Sequence, residues 1–186
     1  MGSQMRHSGV LLRAFLATAL VVTGLAIAAA PPATAAEPER DGSSSATAAA
    51  SCWEIKQIAP TSPSGRYWLQ TPLLVAPQEF YCDMTTDGGG WVLVGRGREG
   101  WRQEYEGVRA DTVAQQVEGP AAFLTAQLAS TTIDGLLNGG AVKDLEDGLR
   151  LRRSENAGGT SYQEARIELP KMTRWVWTFG SEPVSY

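Results

Sequence analysis

Histidine is almost missing from this chain of 186 residues: His7 is the only one. That scarcity removes the imidazole base of the Ser-His and Cys-His hydrolases and the commonest nitrogen ligand of zinc. Cysteine occurs twice, as Cys52 and Cys82, too few for a thiolate metal shell unless carboxylates or a second chain help. Lysine occurs only at Lys56, Lys143 and Lys171, and the formal net charge is −4. The clustered cations that nucleic acid and anionic lipid require are therefore lacking, and no nucleic-acid partner is expected. No uncharged apolar run beyond residue 30 is long enough to cross a bilayer.

What is present begins with an address. Arg6 and Arg13 supply a positive start, and Ala14 to Ala30 is an uncharged apolar run of 17 residues, short of the ~20 that a spanning helix needs. Ala33 and Ala35 then form an A-x-A pattern. Residues 1–36 read as a signal peptide cleaved near Ala35 or Ala36, which makes the chain secreted, with no stable membrane insertion after cleavage. Cleavage would remove two arginines and no acid, taking the formal charge from −4 to −6, and would also remove His7.

Residues 37–51 (EPERDGSSSATAAAS) are charged, then small and polar, and read as a flexible linker. Residues 52–186 are enough for one domain. In an exported chain an even cysteine count favours a disulfide, and two cysteines allow one pairing, Cys52 with Cys82. Such a bond closes a loop of about 30 residues, worth ~3–4 kcal/mol in the chain-entropy model.

The fold class expected is α+β: a small disulfide-tied antiparallel sheet, then short helices, then a further antiparallel sheet. RYWLQT (66–71), QEFYCDM (78–84) and WVLVGRG (91–97) read as strands. From residue 119 the spacing turns helical. Phe123, Leu124 and Leu128 share one predicted face, and Ile133, Leu136 and Leu137 form a second stripe, capped by Ser130 or Thr131 and ended by Gly139. Leu149 to Arg153 and Tyr162 to Leu169 read as a hairpin turned at ENAGG, with Arg150 and Arg152 on its polar face. RWVWTF (174–179) reads as a last strand.

The densest motif is YCDMTTDGGGW, from Tyr81 to Trp91. One strand ends at CDM and another begins at Trp91, so TTDGGG must reverse the chain. Thr85, Thr86 and Asp87 can bond nearby amides, and Gly88, Gly89 and Gly90 accept positive φ and close backbone approach, letting Trp91 fold against the sheet. A phosphate cradle would need a following helix and usually a lysine; a strand follows here and no lysine is near.

SCWEIKQ, then PSGRYWLQ, then FYCDMTTDGGGW resembles the start of a fibrinogen C-terminal-like domain, closest to the bacterial group marked by YCDxxTxGGGW. The resemblance covers residues 51–101. It implies that Cys52 and Cys82 form the family's first disulfide, that Trp91 opens its next strand, and that Asp83 and Gly88 to Gly90 belong to a structural turn. Beyond residue 101 the animal family's Trp-Tyr-Gly-Phe-Gly pattern, further cysteines and Asp-rich loop are not found, so a short or incomplete domain is expected and no metal or ligand residue is carried over.

The function expected is a secreted, non-enzymatic recognition module for carbohydrate or another cell-surface ligand, with no cofactor and no metal. Trp53, Tyr67, Trp68, Trp101, Tyr105, Trp175 and Trp177 supply rings suited to sugar stacking, although core packing accounts for most rings of this kind. The alternatives are a structural or incomplete secreted protein without its own ligand site, and a hydrolase built on paired carboxylates. Asp144, Glu146 and Asp147 read as a solvated face, as do Glu104 and Glu106.

Strong calcium sites gather six to eight oxygens in one short loop, which the acids here do not do. Millimolar calcium should therefore leave the melting temperature unchanged. A site held at a hundred times its dissociation constant would add ~2.7 kcal/mol, and a rise reversed by chelator would reveal it.

Overall fold

The computed structural model describes residues 39–98 and 107–175. The export segment, Trp101, Glu104, Tyr105, Glu106 and Trp177 lie outside the described residues; the strand expected over 174–179 lies outside them from residue 176 on, and Arg174 and Trp175 are not in a strand. Those described form helices mixed with antiparallel sheets.

Helix α1 (Cys52–Ile58) starts at Ser51, whose Oγ accepts from the Glu54 N–H at 3.0 Å. Glu54 reaches back to the Ala50 N–H. Both ends of the first turn are thus satisfied, and S-x-x-E is the local signal for this unexpected helix. Strands β1 (Gly65–Leu69), β2 (Gln78–Asp83) and β3 (Trp91–Val92) make one antiparallel sheet in the order β1-β2-β3. A Cys52–Cys82 disulfide ties α1 to β2, and both sulfur-bearing residues are buried.

The stretch after Trp91 is not one strand. Leu93 still donates to Tyr81 O, but the Val94 carbonyl accepts from the Leu128 N–H, and β4 (Gly95–Arg96) pairs with β5 (Ala126–Gln127). The chain changes partners within two residues, and alternation alone cannot encode which sheet a strand joins. Between them comes the short helix α2 (Ala110–Val113).

The helix expected around Phe123, Leu124 and Leu128 does not form. Gly119 at φ 67° leads into a single 3-10 turn at Pro120–Phe123, and β5 follows. Leu124 is exposed while Leu128 is fully buried, so the two never share a face.

Helix α3 (Ser130–Leu137) forms where Ile133, Leu136 and Leu137 predicted it. Its caps differ from expectation. Ala129 holds the N-cap position without a side-chain bond, and Asn138 at φ 49° ends the helix one residue before Gly139. Strands β6 (Leu149–Ser154) and β7 (Tyr162–Ile167) form the expected hairpin, with Arg150 opposite Arg166 and Arg152 opposite Glu164.

One core joins these pieces: Ile55, Leu69, Phe80, Met84, Val113, Leu128, Ile133 and Trp175. The linker reading for 37–51 fails over its described residues, 39–51. Ala49 is fully buried and bridges Leu69, its N–H donates to Trp68 O at 3.1 Å, and its carbonyl accepts from Gln70. Ser44 and Thr47 bond each other across a 3-10 turn. Small residues that look incapable of packing are here the ones thin enough to lie along the sheet edge.

The TTDGGG turn explains its glycines. Asp87, Gly88, Gly89 and Gly90 all have positive φ (48°, 85°, 78° and 87°). A Cβ on Gly89 would overlap the Met84 carbonyl, and one on Gly90 would lie 2.7 Å from Trp53 Cε3 and 3.0 Å from Trp53 Cα. What passes over the glycine backbone is the start of α1. A Cβ on Gly88 would meet nothing within 4 Å. Gly88→Ala should therefore cost only its φ penalty, about 1 kcal/mol, while Gly89→Ala and Gly90→Ala should cost clearly more in urea melts. Equal losses at all three positions would contradict this steric ranking.

Candidate functional site

In the main sheet the register sorts side chains onto two sides. Leu69, Phe80 and Cys82 are buried in the core. On the other side the opposed pairs are Trp68 with Glu79, Arg66 with Tyr81, and Asp83 with Trp91. This second face carries three rings among charged groups, and its two ends differ.

The Asp83 end is closed. Asp83 Oδ1 accepts from the Thr85 and Thr86 N–H groups, both at 3.0 Å, and from Ser64 Oγ at 3.3 Å. Asp83 Oδ2 accepts from Arg150 Nη2 at 2.5 Å. Burial pushes the carboxyl up, but the Arg150 bond and the two amides outweigh it and hold Asp83 well below the usual carboxylate range. The amides that a phosphate would need are thus occupied by the chain's own carboxylate, and Gly89 N–H goes to Thr86 O. Trp91 Nε1–H donates to Thr86 O at 3.1 Å, and its ring receives the Arg150 and Arg166 guanidinium groups at 5.0 and 5.1 Å.

Two arginines directly opposite each other on a hairpin repel. Here Arg150 faces Asp83, and Arg166 bonds Asp87 at 3.0 Å and Asp147 at 3.2 Å. The polar face of the hairpin is therefore not simply solvated, as alternation suggested. The Arg150 side chain is only 9% exposed, and its Nη1 has no hydrogen-bond partner among the described residues. Farther along, Arg152 bonds Glu164 and stacks on Tyr162. Burial, then the nearby Asp83, pushes the Tyr81 phenol up.

The Trp68 end is open. A recess of about 190 Å³ is lined by Trp68, Pro77, Gln78, Glu79, Arg109, Ala110 and Asp111. Arg109 grips Asp111 with two bonds, Nε to Oδ1 at 3.2 Å and Nη2 to Oδ2 at 3.0 Å. That grip holds the Asp111 carboxyl below its ordinary value. Glu79 Oε2 bonds Arg66 Nη1 at 3.3 Å, leaving the other Glu79 oxygen uncommitted. Strand pairing supplies Trp68 and Glu79, and the turn into α2 supplies Arg109 and Asp111.

The predicted turn residues Cys52, Cys82, Asp83, Gly88, Gly89, Gly90 and Trp91 thus assemble in one place, as a structural joint. Of the predicted rings, Trp175 is buried, Tyr67 packs against the core and bonds Pro63 O, and Trp53 is exposed. Of the described rings among these, Trp68 alone lines the recess. Asp144 and Asp147 are exposed and paired with Lys143 and Arg166. Sequence reasoning missed Arg109 and Asp111, whose only signal is a bare R-x-D, and missed Arg150 as the partner of Asp83. Among the described residues no group of three or more His, Cys, Asp or Glu side chains could hold a metal, and no helix is long and apolar enough to cross a membrane. No family model matches the chain.

A depressed carboxyl contributes stability that is present above its unfolded value of about 3.9 and is lost as pH falls toward the folded value. Asp83→Asn should destabilise at neutral pH by about 3 kcal/mol, because it strands a buried guanidinium. The variant should also lose less stability than the parent between about pH 5 and pH 2. Parallel acid-melt profiles would show that Asp83 is not the linked group.

Proposed function

We propose that this is an exported, non-enzymatic recognition module that binds carbohydrate or another cell-surface ligand at the Trp68 recess. The observation that carries the reading is the recess itself: one aromatic ring beside a carboxylate with a spare oxygen and a guanidinium. Rings offering an apolar face beside convergent polar groups suit ligands with both kinds of surface.

Support for export comes from the signal-like segment and the disulfide. The resemblance of residues 51–101 to fibrinogen C-terminal-like domains agrees with a binding role, at the level of fold analogy. The carboxylate-hydrolase alternative needs a carboxyl held protonated as the acid. Asp111 in the recess is shifted the other way, by Arg109.

A glycan-array screen of the chain, with and without calcium, tests the reading. A reproducible subset of glycans should bind, and Trp68→Ala should abolish the signal while the disulfide and far-UV spectrum persist. Absence of any glycan signal would count against carbohydrate recognition, and a signal indifferent to Trp68→Ala would displace the site.

A further inference from the structure

Whether the recess takes a charged or an uncharged ligand depends on how its charges are already spent. Among the described lining residues Arg109 is the one cation, and Asp111 bonds it through Nε and Nη2. Glu79 is the third charged group, and Arg66, on the same face, bonds only one of its oxygens. The described lining therefore carries one cation against two carboxylates, a formal charge of +1 − 2 = −1. An acidic ligand would meet the uncommitted Glu79 oxygen.

The unspent groups are of a different kind. The second Glu79 oxygen accepts hydrogen bonds. Arg109 Nη1 and Trp68 Nε1 donate them, and none of these three atoms has a protein partner among the described residues. Mixed donors and acceptors around a ring match hydroxyl groups, each of which both donates and accepts. The axial and equatorial C–H groups of a pyranose supply an apolar face for the Trp68 ring. The wider field agrees in sign: without residues 1–36, which contain two arginines and no acid, the formal charge moves from −4 to −6 and repels polyanions.

Resting on the carbohydrate reading above, we infer that the ligand of the Trp68 recess is an uncharged sugar, held by stacking and by neutral hydroxyl bonds, and that Glu79 is the residue that rejects acidic glycans. Recognition of this kind owes little to long-range charge, so salt should leave it nearly untouched.

The test uses matched oligosaccharide pairs that differ by a single carboxylate or sulfate, titrated calorimetrically against the full chain, Trp68→Phe and Glu79→Gln. Trp68→Phe keeps an aromatic ring on the strand and removes the Nε1–H donor, so it should spare the fold. The neutral member of each pair should bind at least about tenfold tighter, as expected for an uncompensated charge beside a carboxylate. Trp68→Phe should weaken neutral binding about fivefold to tenfold. Glu79→Gln should narrow the neutral-to-acidic ratio, and raising NaCl from about 50 to 500 mM should change neutral affinity less than twofold.

Preference for the acidic members, or a neutral affinity that falls steeply with salt, would overturn the inference while leaving carbohydrate recognition intact. Neutral binding unchanged by Trp68→Phe and Glu79→Gln would also overturn it, by placing the sugar elsewhere. Failure of every pair to bind would remove the carbohydrate reading and this inference together.

Discussion

One carboxylate holds the N-terminal sheet, its glycine turn and the C-terminal hairpin in register. Asp83 ends β2, one residue after a disulfide cysteine, and faces three ways. One oxygen collects the amides of Thr85 and Thr86 and starts the turn, and the other receives Arg150 from 67 residues away. The turn then swings back through four positive-φ residues to Trp91, whose indole is the surface on which Arg150 and Arg166 rest. Burying a carboxylate is costly unless it is fully bonded. Here each of its acceptor sites serves a different piece of chain.

The disulfide and the glycines complete the same joint from the opposite side. Cys52 brings the start of α1 to β2, and Gly90 has no side chain because Trp53 lies against it. Loss of the covalent tie would leave the burial of Ile55 in the core and the Trp53–Gly90 contact to hold α1 in place. Loss of Gly90 would force apart what the disulfide holds together. These features form one device, which is why a cysteine, an aspartate, three glycines and a tryptophan fall within eleven residues of sequence.

Much of this was legible in sequence, for identifiable reasons. β1, β2, α3 and the β6–β7 hairpin follow from alternation or helical spacing bounded by turn residues, signals that are local. The disulfide follows from a count of two. The failures are cases where the deciding partner is distant. Val94 leaves the first sheet because Leu128 is there to bond it, and nothing in WVLVGRG says so. Leu124 and Leu128 keep helical spacing, yet the 3-10 turn stops at Leu124, whose backbone is extended (φ −66°, ψ 130°), and Ala126 and Gln127 are drawn into pairing with β4. Residues 39–51 looked like a tether because they are small, yet Ala49 is in the core. Arg150 looked like a solvated strand residue because its buried counter-ion lies in another sheet. The recess was invisible for the same reason, since Trp68 and Asp111 meet only in the folded chain.

The two ends of the second face divide the labour. Charges at the Asp83 end are matched inward and bind the protein to itself. At the Trp68 end they are matched sideways, Arg109 to Asp111 and Arg66 to Glu79, on side chains that stay partly exposed. The central claim, that Asp83 and Arg150 act as one unit joining sheet to hairpin, is tested most directly by a double-mutant cycle at neutral pH with Asp83→Asn, Arg150→Met and both together. If each charge is costly mainly because its partner is stranded, the double variant should be more stable than the sum of the single losses by at least about 1–2 kcal/mol. Losses that add within about 0.5 kcal/mol would contradict the account.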